Sequence, residues 1–221
     1  MKKICQMELP APDREGRDKD IDLLFYERRC HEHGFSCVAG VDEAGRGCLA
    51  GPVVAAAVIL PENFCVEGVT DSKLLKPARR KELDQHIRQS SAIFSIAEVS
   101  AEEIDRTNIL KAALHAMCKA VSGLGSEPDI VLVDGNQPIP LPIPQKTIVK
   151  GDRRSLSIAA ASILAKEYRD RLMKDYDRLW PGYGFAAHNG YATRKHKEAI
   201  ASLGPCPVHR KSFRGVREYV R

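Results

Sequence analysis

CVAGVDEAGRGCLAGPVVAAAVIL, residues 37–60, decides the fold. Two apolar runs, 38–41 and 53–60, are joined by a connection holding Gly45, Gly47 and Gly51, the pattern of strand, glycine-dense turn and second strand. The first run passes straight into Asp42 and Glu43 with no polar turn between. An ionised carboxylate is costly to bury unless a cation or hydrogen bonds compensate it. Two adjacent acids in a segment that asks for burial therefore need a partner.

Outward from this stretch, an apolar run at 93–99 follows a predicted helix over 77–89, where Pro77 suits the first helical turn. Helical spacing runs over 102–121, with Ile109, Leu110, Ala113, Leu114, Met117 and Cys118 on one face. A short strand at 130–133 ends in Asp134, and another at 147–149 stops just before Gly151 and Asp152. A long helix is expected over 155–177, with Ile158, Ala161, Ala165, Tyr168 and Leu172 as its buried stripe, and a last helix over 192–203. Upstream, residues 1–19 read as a polar tail and 20–33 as a short helix. Strands grouped early and alternating with helices later describe an α/β fold, a mixed sheet flanked by helices.

The 221 residues are 43% hydrophobic and 29% charged but only 6% aromatic, which suits one domain with an aliphatic core and excludes disorder and collagen-like repetition. The longest apolar run, 53–60, is far shorter than a membrane span of about 20 residues, and the charged N-terminus lacks a signal-peptide core. Seven cysteines without C-x-x-C spacing indicate neither a disulfide framework nor a zinc ribbon, so a cytoplasmic location is expected. Cys30, His31, His33 and Cys37 cluster, but at a spacing that fits no standard finger. The net charge of +5 is uneven: residues 150–221 carry 16 Lys+Arg against 7 Asp+Glu. Such asymmetry suggests that the C-terminal part faces a polyanion, against the plainer reading of a solvated basic surface.

Asp42, Glu43, Asp134 and Asp152 come from three strand ends. Taken singly, each is explained by a cap or a salt bridge; taken together they suggest a shared metal site. Oxygen-only ligands favour Mg²⁺ or Mn²⁺ over zinc. Two such ions about 4 Å apart suit phosphodiester hydrolysis. Gly45, Arg46 and Gly47 follow the acids directly, where glycine permits close backbone approach to a ligand and Arg46 can pair with phosphate.

VDEAGRG (41–47), GPVVAAAVIL (51–60), DSKLL (71–75), LVDGN (132–136), VKGD (149–152), SIAAASILAK (157–166) and GYGFAAHNGY (182–191) closely resemble bacterial ribonuclease HII, in that family's order. The resemblance covers about residues 37–215. It implies a ribonuclease H-like fold with a five-stranded mixed sheet, divided into an N-terminal extension (1–35), a catalytic core (36–180) and a C-terminal helical part (181–221) that grips the duplex. It further implies endonucleolytic cleavage of RNA in RNA–DNA hybrids and 5′ of single ribonucleotides in duplex DNA, leaving 3′-hydroxyl and 5′-phosphate ends.

By the same resemblance, Asp42, Glu43, Asp134 and Asp152 are the catalytic metal ligands for two Mg²⁺ or Mn²⁺ ions. Gly45, Arg46 and Gly47 match the loop whose backbone reads the ribose 2′-hydroxyl, the group that tells RNA from DNA. Tyr191 matches a tyrosine that stacks on the deoxyribose after the ribonucleotide, and Ser72 and Lys73 match a phosphate-contacting turn. Lys150, Lys166 and His188 fall in matched motifs as further substrate candidates, whereas Asp170, beside Arg169, reads as a structural ion-pair partner. The chain departs from the family at Cys48, where proline is usual, at Asn189, where lysine is usual, and at Glu167 and Tyr168. The expected partners are RNA–DNA hybrids and ribonucleotide-containing DNA, met by a monomer without a membrane. The C-terminal VREYVR carries no clear clamp-binding motif. A non-catalytic hybrid-binding protein of this fold is the alternative, although all four acids are present; a junction resolvase would leave the GRG loop and Tyr191 unexplained.

Overall fold

The structure is a computed structural model that describes residues 22–61, 64, 75–90 and 92–220. Ser72 and Lys73 lie outside the described residues, as do the polar tail and the first residues of the helix expected from residue 20. In chain order the elements are α1 (Phe25–Glu32), β1 (Val38–Ala44), β2 (Val53–Ile59), α2 (Pro77–Gln89), β3 (Ile93–Val99), α3 (Ala101–Arg106) and α4 (Ile109–Ser122). There follow β4 (Ile130–Asp134), β5 (Gln145–Ile148), a 3₁₀ turn (Gly151–Arg153), α5 (Leu156–Leu179), α6 (Phe185–His188), α7 (Arg194–Leu203) and a terminal 3₁₀ turn (Arg217–Tyr219).

The five strands form one mixed sheet in the order β3-β2-β1-β4-β5. β1, β2 and β3 pair antiparallel, while β4 and β5 join parallel to β1. The strand carrying Asp42 and Glu43 is thus central. Alternation splits the core. Val41, Val53, Ala55, Ala57, Val131 and Val133 pack with α4, and Val54, Ala56 and Val58 pack with α5 and α2 on the other face. α5 crosses β1 so closely that a Cβ on Gly40 would lie 2.3 Å from the Ser157 carbonyl carbon.

Two sequence expectations change. The helix expected over 102–121 is two helices, because Asn108 accepts a hydrogen bond from the Lys111 amide and starts α4 afresh, while Ser100 and Glu103 form a capping box on α3. The buried face of α4 is accordingly Ala112, Ala113, Ala116, Met117, Ala120 and Val121, and Leu110 is exposed. On α5 the stripe holds through Ala165, but Tyr168 is exposed and Leu172 half-buried; Arg169, Asp170 and Met173 are buried instead. Beyond the sheet, α5 packs on the C-terminal segment, where Met173 joins Ala50, Tyr183, Phe185 and Cys206. That surface presents main-chain carbonyls, which take a guanidinium where leucine or tyrosine was expected. Among the described residues, no helix is long and apolar enough to cross a membrane.

Candidate active site

The register of β1 and β4 brings the acids together. Val41 pairs with Val133 on the adjacent parallel strand, so Asp42 and Asp134 follow in step, on strands about 4.8 Å apart. Asp42 is buried, and its Oδ1 accepts from the Glu43 amide at 2.6 Å, whereas Oδ2 has no hydrogen-bond partner. Burial, then the Glu43 and Asp134 carboxylates, push the Asp42 carboxyl well above the usual carboxylate range; Ser162 of α5 and the Glu43 amide partly oppose this.

Two of the other acids, Glu43 and Asp134, are held by identified neighbours. Arg46 Nη1 donates to Glu43 Oε1 at 3.2 Å, and the Gly151 amide donates to Asp134 Oδ1 at 2.6 Å. Lys150, with φ of 56°, turns the chain so that Gly151 can make this approach. The approach is tight: a Cβ on Gly151 would lie 2.6 Å from Ile158 Cδ1 and 3.2 Å from Asp134 Oδ1. Asp152 follows in the 3₁₀ turn and is buried. With the acids so turned, no three acidic, His or Cys side chains among the described residues encircle a common point. An orphaned buried oxygen on Asp42, with the Glu43 and Asp134 carboxylates and the Ser162 hydroxyl beside that side chain, is nevertheless a donor set suited to a hard divalent cation.

A cleft of about 390 Å³ opens at Glu43 and Asp134, lined with them by Ser162, Lys166, Tyr191 and the loop 44–47, whereas Asp42 and Asp152 are not among its lining residues. Of the expected substrate residues, the structure brings Gly45, Arg46, Gly47, Tyr191 and Lys166 to this cleft. His188 is engaged elsewhere, its Nε2 donating to the Tyr183 carbonyl at 2.9 Å while its Nδ1 accepts from the Gly190 amide. Lys166 lies 5.8 Å from the Tyr191 ring and pairs with Asp170, which Arg80 also binds. Asp170 is thus an ion-pair residue, though its partners are Arg80 and Lys166 rather than Arg169. The His31 and His33 side chains bond main-chain carbonyls at the end of α1. A larger hollow of about 610 Å³, between residues 201–205 and 218–220, lacks any such group of acids.

Tyr191 is exposed but its backbone is tied down. Residues 48 and 191 form an antiparallel bridge, and the Leu49 amide donates to the Gly190 carbonyl at 2.8 Å. The Tyr191 carbonyl meets His196 Nδ1 at 2.9 Å, and His196 Nε2 meets His209 Nε2 at 3.1 Å. A carbonyl only accepts, so His196 carries its proton on Nδ1 and His209 donates from Nε2; the Cys206 amide then donates to His209 Nδ1 at 3.0 Å. Asn189 takes a left-handed conformation, φ 49°, which asparagine adopts more readily than most residues. Ser162, Arg169, His196, His209 and Arg210 were not legible as site residues. An arginine in the apolar pattern of α5 was a signal for Arg169; for the others the chain offered none.

Residues 39–216 match the family model described as ribonuclease HII. The chain is 58% identical to the ribonuclease HII of Geotalea uraniireducens over 199 residues, covering 90% of this chain and 92% of that protein. It is 53% identical to that of Syntrophotalea carbinolica, covering 91% and 97%. Among solved structures it resembles ribonuclease H2 from Pyrococcus horikoshii, with TM-score 0.68 and 26% identity over 83% of this chain and 96% of that one. Ribonuclease HII from Archaeoglobus fulgidus, solved in complex with PCNA, gives TM-score 0.66 and 29% identity over 80% and 95%. The chain therefore belongs to the ribonuclease HII family and is an endoribonuclease of RNA–DNA hybrids.

Proposed function

We propose that Asp42, Glu43, Asp134 and Asp152 hold two Mg²⁺ or Mn²⁺ ions, and that the enzyme cuts hybrids and the 5′ side of single ribonucleotides in duplex DNA. The observation that carries this is Asp42, buried with one oxygen unpartnered and two carboxylates raising its proton affinity. When bound, the ions supply an activated water and neutralise charge on the departing 3′-oxygen. The chain's own residues then position the strand. Arg46, which donates to Glu43 at the edge of the cleft, can pair with phosphate. Lys166, fixed by Asp170, stands at the cleft wall for a second phosphate. Ser72 and Lys73 are proposed for a further phosphate contact. Amides of the Gly45-Arg46-Gly47 loop meet the 2′-hydroxyl, and Tyr191 stacks on the next sugar, where a second 2′-hydroxyl would crowd the ring. The products carry 3′-hydroxyl and 5′-phosphate ends. Five described cysteines are free thiols, which supports work in a reducing cytoplasm, here by a monomer.

Cleavage of a duplex with one embedded ribonucleotide, with and without Mg²⁺, tests the whole reading; uncut substrate at saturating Mg²⁺ would leave only a binding protein. Tyr191→Ala should lose roughly ten-fold to a hundred-fold on that substrate, by analogy with about 1–3 kcal/mol for base stacking, and much less on an all-RNA strand. Tyr191→Phe should stay near wild type. Equal losses on both substrates would reject a role in reading the RNA-to-DNA step.

A further inference from the structure

Two arginines, Arg169 and Arg210, are completely buried, and among the described residues neither forms an ion pair. Burying an unpaired guanidinium is expensive unless its donors are satisfied. Here they are satisfied only by main-chain carbonyls. Arg169 donates to Ala50, Pro52 and Asn189 at 2.9–3.1 Å. Arg210 donates from Nε to Gly51 at 3.0 Å, from Nη1 to Arg46 at 2.8 Å and from Nη2 to Gly45 at 2.7 Å. Three carbonyls from one short loop thus converge on a single planar fork.

The consequence follows from peptide geometry. In a trans peptide the C=O and the N–H point in opposite directions, and the described chain has no cis bonds. Drawing the Gly45 and Arg46 carbonyls inward turns the amides of Arg46 and Gly47 outward. Both residues are exposed and line the cleft, whereas Gly45 is buried. Neither amide donates to a described residue. A Cβ on Gly47 would meet nothing within 4 Å, so the space before these amides is open. On the opposite side, a Cβ on Gly45 would lie 2.1 Å from Arg169 Nε, so the loop packs there directly against the Arg169 guanidinium.

We propose that Arg210 is the positioning residue for ribose recognition: its fork fixes the peptide planes at 45–46 and 46–47, so that two amides stand ready for the 2′-hydroxyl. This rests on the proposed role of the GRG loop. It goes beyond that role by assigning the loop's orientation to a side chain some 160 positions away, which touches no substrate itself. Lysine would keep the charge but not the fork, because one ammonium cannot match three carbonyls set for a planar guanidinium.

The test compares affinity for a duplex with one embedded ribonucleotide against the same duplex in all DNA, in metal-free buffer, for wild type, Arg210→Lys and Gly47→Ala. The ratio of the two affinities reads the 2′-hydroxyl alone. Arg210→Lys should lower that ratio about ten-fold, the worth of about one hydrogen bond, while affinity for all-DNA duplex stays within about two-fold. Gly47→Ala, which places a methyl in open space before the amides, should lower the ratio similarly. If Gly47→Ala lowers it and folded Arg210→Lys does not, the loop reads ribose without Arg210 and the inference falls alone. If Gly47→Ala leaves the ratio unchanged, the loop reading falls and takes the inference with it. A collapse in melting temperature of Arg210→Lys, with equal losses on both duplexes, would reduce Arg210 to a structural residue and overturn the proposal. Amide NMR shifts of Arg46 and Gly47 in the wild type give a second reading without any variant: they should move on adding the ribonucleotide duplex and not on adding its all-DNA counterpart, and equal movement refutes it.

Discussion

Gly40→Ala tests the contact on which the active site is built. Gly40 sits in β1 beneath the first turn of α5, and a Cβ there would lie 2.3 Å from the Ser157 carbonyl carbon, 2.4 Å from Ile158 N and 2.6 Å from Ser157 Oγ. Ordinary carbon contacts need about 3.5–4.0 Å, so the helix must lift by about 1 Å or more. The start of α5 does not lift freely. Glu27 Oε1 accepts from Ser155 Oγ, Ser157 Oγ and the Ser157 amide, pinning that turn to α1. Overpacking against main chain belongs in the upper part of the usual range of about 1–3 kcal/mol. At about 2–4 °C per kcal/mol for a chain of this size, melting should fall by about 4–12 °C. Activity should suffer more. Asp42 lies two residues further along the same strand face, and its hydroxyl partner Ser162 is on α5, so lifting the helix parts them. A misplacement of about 1 Å can cost about a hundred-fold in rate. The assay is calorimetry together with turnover of an embedded-ribonucleotide duplex, measured far enough below the melting point that the variant is folded. Melting within about 2 °C of wild type with near-normal turnover would refute the reasoning. Gly125→Ala, where an added Cβ meets nothing within 4 Å, is the control and should do neither.

Asp42→Asn removes a buried charge crowded by two others, so it should abolish most turnover yet raise metal-free stability by about 1 kcal/mol or more, as functional sites often permit; denaturation in chelator checks this, and a less stable variant contradicts it. Duplex binding by Asp42→Asn should survive, because phosphate contacts dominate affinity. Burial lowers the pKa of both His196 and His209 to about 4. The unfolded chain, titrating near 6.5, then binds more protons between those values; stability is complete above about pH 7 and falls by about 2 kcal/mol per ring on going to pH 5, as denaturant midpoints will show unless the rings stay solvated. Glu27→Ala strips three donors of their acceptor and should cost about 2–4 kcal/mol by urea melts, with Glu27→Gln losing less; an unchanged midpoint would show that α1 does not anchor α5.

The sequence by itself determined the local elements and the chemistry. Short apolar runs at 38–41 and 53–60, joined by a glycine-dense turn, point to buried strands, and acids placed where apolar strands end carry their own cost of burial, so Asp42, Glu43 and Asp134 stood out before any contact was known. Cleft residues Gly45, Arg46, Gly47 and Tyr191 came from matched motifs. What only the tertiary structure decided lies where partners are distant in the chain. Asn108 breaks one predicted helix into two because its side-chain cap competes with continuation, and Tyr168 turns outward because α5 outruns the sheet and meets carbonyls. The roles of Arg169, Arg210, His196 and His209 depend on packing against residues up to 165 positions away. A buried arginine facing carbonyls and a solvated surface arginine are the same letter in a sequence. Their difference is set by which main-chain groups the fold leaves without a hydrogen-bond partner, and that is known only once the strands, helix and C-terminal segment have closed around them.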